Sequence, residues 1–128
     1  MTTDNGQRTS EVSKSILQEK SYAFALKVVR VCRTLQETKK EFVLTKQLLR
    51  SGTAIGALVE EGRQAESKQD FIHKLSISNK EANETQYWIR LLIDSDILDV
   101  SIGRELLENS NELIRILTAS LKTSKINR

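Results

Sequence analysis

Proline is missing from this sequence and glycine is scarce, with no Pro and five Gly among 128 residues. Proline removes a backbone N–H donor and clashes with the preceding helical turn, and glycine loses conformational freedom when it becomes helical. Because these helix breakers are rare, the composition favours long helices. The length is that of one domain and suffices to bury an apolar core without disulfides or structural metals.

Residues that carry catalysis or bind metals are also few. The single cysteine, Cys32, has no partner for an internal disulfide and lies among apolar residues, as a packed thiol in a reducing compartment does. The single histidine, His73, is expected at the surface or its boundary. A di-metal bundle site needs two Glu-x-x-His motifs, whereas this chain has one related stretch, Asp70-Phe-Ile-His73. We therefore expect no enzyme, no catalytic residues, no metal and no cofactor.

Long apolar runs are lacking as well. The first ten residues contain no apolar signal-peptide core, and no segment approaches the roughly 20 apolar residues that span a bilayer. We therefore expect a cytoplasmic protein with no membrane partner. Residues 1–9 are predicted to be a disordered lead-in, residues 10–124 a four-helix bundle and residues 125–128 a frayed tail.

Helix start signals divide the chain into four helical segments. Thr38 precedes Glu41 by three residues, the spacing of a capping box, and Ser67 precedes Asp70 in the same way. The predicted helices cover residues 10–36, 38–62, 67–95 and 101–123, with a turn at 96–100. Because the connections are short, neighbouring helices are expected to be antiparallel, which predicts an all-α, up-and-down four-helix bundle.

The third helix carries an apolar stripe whose members alternate at spacings of four and three, typical of the seam of a left-handed bundle. The stripe consists of Phe71, Leu75, Ser78, Ala82, Thr85, Ile89 and Leu92. Its centre is small at Ser78 and Ala82, and the second helix is small around Gly52 and Gly56. Glycine costs about 1 kcal/mol relative to alanine within a helix. We therefore predict close helix packing at these four residues.

The first helix carries two apolar stripes. One consists of Tyr22, Ala25, Leu26, Val29 and Cys32, and the other of Phe24, Val28, Val31 and Leu35. A surface helix normally buries one stripe, so the second predicts another contact surface, for which a second copy of the chain is the simplest partner. We take the stripe of Phe24, Val28, Val31 and Leu35 as the candidate oligomer interface. The pattern itself leaves open which of the two stripes faces the second copy. Deep burial of the helix within one chain is the alternative.

Positive charge is concentrated in the first third of the chain. The formal net charge is +3, and residues 1–40 contain eight basic and four acidic residues. The candidate nucleic-acid contacts are Lys27, Arg30, Arg33, Lys39 and Lys40, because such a cluster can bind phosphates. The alternative is that cations near a helix C-terminus complement its dipole. Tyr87 and Trp88 are candidates for base stacking, but their helical spacing is more typical of packing residues.

The most distinctive motifs lie between Gln47 and Leu92. They are Arg50-Ser-Gly-Thr, Ile55-Gly-Ala, Asp70-Phe-Ile-His-Lys-Leu and Lys80-Glu-Ala-Asn-Glu-Thr, followed by Tyr87-Trp. In these motifs the chain resembles the bacterial four-helix bundle proteins known as 23S ribosomal RNA intervening-sequence proteins. Members of that family are similar in forming up-down bundles that assemble into pentameric rings. A protein of related fold, the accessory variability determinant of diversity-generating retroelements, binds nucleic acid and a reverse transcriptase.

The resemblance implies a non-enzymatic homo-oligomer, expected to be a pentamer, that binds RNA or DNA through its basic surface. It equally allows a protein–protein scaffold or adaptor that binds another protein and no nucleic acid. The location of the basic residues distinguishes these two functions. Basic side chains that line one open surface favour nucleic acid, whereas basic side chains paired with acids of a neighbouring subunit favour the scaffold.

Overall fold

Four helices and no strands make up the described part of the chain. The computed structural model describes the backbone of residues 5–127 and the side chains of residues 16–127. The helices are α1 (Asn5–Thr38), α2 (Val43–Arg63), α3 (Lys68–Asp94) and α4 (Val100–Ile126). The prediction of an all-α, four-helix fold is therefore confirmed.

Both terminal helices are longer than predicted. Helix α1 begins at Asn5, so residues 5–9 of the predicted lead-in are helical, while residues 1–4 lie outside the described part of the chain. Helix α4 continues to Ile126 instead of ending near residue 123. No proline stands in either segment to stop the helix.

A single apolar core receives side chains from all four helices. Each helix packs against the next in sequence, and α4 also packs against α1. The core consists of Leu17, Phe24, Val28, Cys32, Leu35, Leu48, Ile55, Val59, Leu75, Ala82, Ile89, Leu92, Leu98, Leu106, Leu113 and Leu117. Full burial of one such leucine stabilises the fold by about 1.5–3 kcal/mol.

The stripe predicted on the third helix is buried from Leu75 to Leu92, and its small polar members connect α3 to α2. The Ser78 hydroxyl donates a hydrogen bond of 2.9 Å to the Ile55 carbonyl, and Thr85 Oγ1 donates one of 3.0 Å to Ser51 Oγ. Buried hydroxyls cost free energy unless they are hydrogen-bonded. These bonds satisfy them while their small size lets the two helices approach closely. At the start of the stripe Phe71 is only half-buried, and Ile72 is the buried residue.

The two glycines of α2 face α1. A Cβ added at Gly56 would lie 3.3 Å from the Ser21 carbonyl oxygen, and one added at Gly52 would lie 3.0 Å from both γ-carbons of Val28. The first of these neighbours is backbone, which cannot rotate away as a side chain can. Glycine therefore sets the separation of α1 and α2 at this point.

The oligomer interface predicted on the first helix is wrong for three of its four residues. Phe24 is 2% exposed, Val28 is fully buried and Leu35 is 6% exposed, and all three belong to the core of the single chain. Val31 is partly buried against the same core. The alternative of deep burial within one chain is therefore the correct one for this stripe. Tyr22 and Leu26 of the other stripe are exposed instead.

Helix α2 starts differently from the predicted capping box. Thr38 is the last residue of α1, and its hydroxyl donates to the Thr34 carbonyl. The carboxylate of Glu41 caps α2, accepting hydrogen bonds of 2.9 Å from the backbone N–H groups of Leu44 and Thr45. Since α1 extends to Thr38, that residue is unavailable as a cap. The predicted cap of the third helix is confirmed, because Ser67 Oγ accepts a bond from the Asp70 N–H.

We expect Gly56→Leu to lower the free energy of unfolding by about 1–3 kcal/mol, the typical effect of overpacking, because the new side chain meets the backbone of Ser21. Denaturant unfolding measures this loss. Ala119→Leu adds an apolar side chain at an exposed position of α4 and is the control. Equal stability of Gly56→Leu and the wild type would contradict close packing at this residue.

We expect Glu41→Ala to cost about 1 kcal/mol at neutral pH, as the loss of a helix cap does. Burial acts to raise the pKa of Glu41, but the backbone hydrogen bonds of Leu44 and Thr45 outweigh it, so the pKa lies below its ordinary value of 4.5. A lowered carboxylate pKa stabilises the fold above the unfolded-state pKa, and this contribution is lost as pH falls through the folded-state pKa.

Thermal unfolding at several pH values tests the cap. The difference in melting temperature between wild type and Glu41→Ala should be largest near neutral pH and shrink below about pH 4.5, the ordinary pKa. Glu108→Ala, at an exposed position of α4, is the control. A difference that is independent of pH would show that the charged carboxylate is not the cap.

Candidate nucleic-acid interface

The second half of α1, the connection to α2 and the start of α2 carry five exposed basic side chains. Four are residues predicted from the sequence: Arg30 and Arg33 on α1, and Lys39 and Lys40 in the connection. Lys46, exposed at the start of α2, belongs to the same stretch of chain and was not among the predicted residues. We call these five residues the basic surface.

Lys27 is not part of the basic surface. Its Nζ lies 2.6 Å from Glu105 Oε1 and 3.0 Å from Asn109 Oδ1 of α4. The charge of Lys27 is therefore compensated within the chain. This pairing depends on residues far away in the sequence, so the local charge pattern could not reveal it.

Charges within residues 30–46 are strongly unbalanced. The segment contains the five basic residues and two acidic ones, Glu37 and Glu41, and its net charge of +3 equals that of the whole chain. None of the five forms a salt bridge with another described side chain. The carboxylate of Glu41 is bonded to the N-terminus of α2, where the helix dipole partly offsets its negative charge.

The connection adopts a tight turn that exposes apolar side chains. Lys40 has a φ of 54°, in the left-handed region that residues with a Cβ seldom adopt. Beyond it, Phe42 is 56% exposed and Val43 is 73% exposed. The first buried residue of α2 is Thr45, so neither of these two residues contributes to the core. Three charged residues, Lys39, Lys40 and Glu41, directly precede them, and this was the available signal in the sequence that they are exposed.

Trp88 is a packing residue, in agreement with its helical spacing. It is half-buried against the core, and its Nε1 donates a hydrogen bond of 2.8 Å to Glu84 Oε2. This bond, with a further contribution from Arg50, holds the pKa of Glu84 below its ordinary value. Tyr87 packs edge-on against Trp88 with ring centroids 5.1 Å apart and remains 49% exposed.

Several acids that could have balanced the basic surface have partners elsewhere in the chain. The pairs are Arg50 with Glu81 and Glu84, Arg63 with Glu60, Lys74 with Glu61, and Lys20 with Glu112. All are at least partly exposed, and exposed pairs contribute little to stability. These ion pairs neutralise charge where they form. The excess positive charge of the chain therefore remains at the basic surface.

Cys32 is a packed thiol in the structure, as predicted. It is 1% exposed, and its thiol donates to the Thr45 carbonyl over 3.5 Å. Burial, with a smaller contribution from the charge of Glu41, raises the pKa of Cys32 to about 12. At neutral pH the group is therefore a protonated thiol, the unreactive form. His73 is exposed on α3.

The described residues contain neither a metal-binding cluster nor a membrane-spanning helix. No cluster of three or more His, Cys, Asp or Glu side chains is placed there to hold a metal ion. Within the same residues, no helix has the length and apolar character needed to cross a bilayer.

A second exposed surface lies between α1 and α2. It is a groove of about 240 Å³, which we call the α1–α2 groove, and most of its lining residues are small. It is lined by Gln18, Ser21, Tyr22, Ala25, Thr53, Gly56, Ala57 and Glu60. Tyr22, which lines the groove, is 67% exposed, and Leu26, one helical turn further along α1, is 37% exposed. An apolar surface of this kind is suited to contact with another protein.

Comparison with known proteins places the chain in a family. The family described as 23S rRNA-intervening sequence protein matches residues 13–119. The chain is also similar to a protein with unknown function from the S23 ribosomal protein family of Bacteroides thetaiotaomicron VPI-5482, whose crystal structure was determined at 1.70 Å. The two are 41% identical over 86% of this chain and 98% of that one, with a TM-score of 0.85. No curated protein matches the chain. The resemblance of the motifs is confirmed, and the chain belongs to the 23S rRNA-intervening sequence protein family.

Proposed function

We propose that this protein is a non-enzymatic homo-oligomer that binds the phosphate backbone of RNA or DNA through the basic surface. The observation that carries the proposal is the excess of five exposed basic side chains over two acidic ones in residues 30–46. All five lack a salt bridge to another described side chain. A phosphate can therefore bind them without first displacing an acidic partner.

The energetics of such binding come from counterion release. Each phosphate neutralised by a lysine or arginine releases condensed cations, so affinity falls as salt rises. The basic surface of one chain is small, and five contacts alone give modest affinity. If several subunits each carry the basic surface, a long nucleic acid experiences a stronger positive electrostatic potential. Oligomerisation is therefore part of the proposal.

We infer that the four helices form an antiparallel, up-and-down bundle. Salt bridges between α1 and α4 pair Lys20 with Glu112 and Lys27 with Glu105, so the later α1 residue contacts the earlier α4 residue. Contacts between α2 and α3 follow the same rule, because Arg50 reaches Glu84 while Glu61 reaches Lys74. This order is expected when the two chain segments run in opposite directions.

The α1–α2 groove is the surface through which we propose that the copies associate, and a pentameric ring is the assembly we propose. The exposed Tyr22 and Leu26 support this location, as they leave apolar area in water in the isolated chain. The small residues that line the groove leave room for an inserted side chain. This surface replaces the stripe that the sequence suggested.

A scaffold function is the second candidate, and the same groove supports it. If the groove binds a different protein instead of another copy, the chain gathers partners without nucleic acid. The two functions differ in two measurable properties, the mass of the protein alone and its affinity for RNA.

We expect the double variant Arg30→Glu/Arg33→Glu to bind a short RNA hairpin at least about tenfold more weakly at low salt. Its binding should also depend less on salt, with the slope of log affinity against log salt reduced by about 1.4–1.8 for two lost contacts. Fluorescence anisotropy measures both quantities. The control is Arg104→Glu/Arg115→Glu, an equal charge change at exposed positions of α4. Equal losses in both variants would show that net charge, and not the basic surface, governs binding.

We expect Tyr22→Glu to reduce the mass of the oligomer, because a charge in the α1–α2 groove must lose its water at the interface. Light scattering of the purified variant measures the mass. Tyr22 is 67% exposed, so the fold itself should persist. Tyr87→Glu, at a tyrosine that is 49% exposed on α3, is the matched control. A wild-type protein that is monomeric, or a Tyr22→Glu variant of unchanged mass, would rule out association through this groove.

A further inference from the structure

Two neighbouring apolar side chains are exposed within the basic surface. Phe42 is 56% exposed and Val43 is 73% exposed, and they follow the exposed Lys39 and Lys40. Single exposed apolar residues are common on protein surfaces. This pair differs because it stands in the chain between Lys40 and Lys46, two exposed cations that have no acidic partner among the described side chains.

The fold does not require phenylalanine at position 42. This residue stands at the N-cap of α2, where Ser, Thr, Asp or Asn is preferred, and its side chain forms no capping hydrogen bond. Glu41 supplies the cap instead. Phe42 also lies outside the apolar core. Neither helix initiation nor core packing therefore accounts for the aromatic side chain.

The backbone on both sides of Phe42 is held in place. Before it, the Lys39 N–H donates a hydrogen bond of 2.9 Å to the Leu35 carbonyl, which fixes the end of α1. After it, Thr45 Oγ1 donates one of 2.8 Å to the Glu41 carbonyl, in addition to the carboxylate bonds of the cap. An aromatic ring on an ordered backbone loses little conformational entropy when it binds a flat partner.

We propose that Phe42 stacks on an unpaired base, so that the basic surface prefers single-stranded nucleic acid to a duplex. This inference rests on the proposed function, because Lys39 and Lys40 must hold the neighbouring phosphates. Proteins that bind single strands combine a positive surface with aromatic side chains on which bases stack. The bases of a duplex are already stacked on one another, so a duplex offers Phe42 no free base face.

The charge around Phe42 favours nucleic acid over an apolar protein partner as its occupant. Lys39, Lys40 and Lys46 lie within four residues of Phe42 in the chain, and none of them has an acidic partner among the described side chains. The one intervening acid, Glu41, is bonded to the N-terminus of α2. An apolar partner at Phe42 would therefore cover these charges without neutralising them, which is costly. A nucleic acid strand supplies a phosphate for each lysine and a base for the ring.

The test compares an unstructured single-stranded RNA with a duplex RNA of equal length, by fluorescence anisotropy at low salt. The wild-type protein should bind the single strand more tightly. Phe42→Ala should weaken single-strand binding by about 5- to 150-fold, the effect of losing one stacked base, and leave duplex binding unchanged. Phe42→Trp should retain the preference because indole also stacks. Val43→Ala removes a neighbouring apolar side chain without an aromatic face and should have little effect.

The possible failures separate the inference from the proposed function. If Phe42→Ala binds both probes as the wild type does, stacking is refuted while the phosphate-binding function remains. Equal losses on the two probes would likewise overturn stacking, because the variant would then act on the phosphate contacts. If the wild-type protein binds neither RNA at low salt, the proposed function fails and the inference fails with it. Melting temperatures of all variants identify any loss caused by misfolding.

Discussion

Close approach of α2 to both of its neighbours is the constraint on which the rest of this structure depends. Towards α1 it requires glycine, because a Cβ at Gly56 would press on the backbone of Ser21. Towards α3 it requires small hydroxyl residues, and the buried bond of Ser78 to the Ile55 carbonyl shows how their polarity is satisfied. Larger residues at these positions would separate the helices and open the core. Protein cores are normally packed as densely as organic crystals, so such gaps are destabilising.

This packing determines which residues of α1 are available for function. With α1 drawn against α2, Phe24 and Val28 enter the core and cannot form an interface. The exposed side of α1 is left with Tyr22 at the groove and with Arg30 and Arg33 towards the connection. Helix α1 therefore contributes to two separate regions, the proposed binding surface and the proposed association surface, and its packing determines which of its residues each region receives.

Properties that depend on local periodicity could be predicted from the sequence, and those that depend on distant residues could not. The buried stripe of α3 follows from its spacing, and the cap at Ser67 from the neighbouring Asp70. The two apolar stripes of α1 show that two surfaces exist, but periodicity does not say what covers each. Two other failures have the same origin. The pairing of Lys27 depends on the position of α4, and the capping of α2 by Glu41 in place of Thr38 depends on where α1 ends.

The most direct test of phosphate binding by an oligomer is the affinity of the wild-type protein for an RNA hairpin across a salt series, with its mass recorded in the same buffers. The proposed function predicts an oligomer whose log affinity falls linearly with log salt. The slope should be about −0.7 to −0.9 per phosphate contacted, and therefore several units when multiple subunits bind one strand. An affinity that does not change with salt, or no binding at low salt, would contradict it.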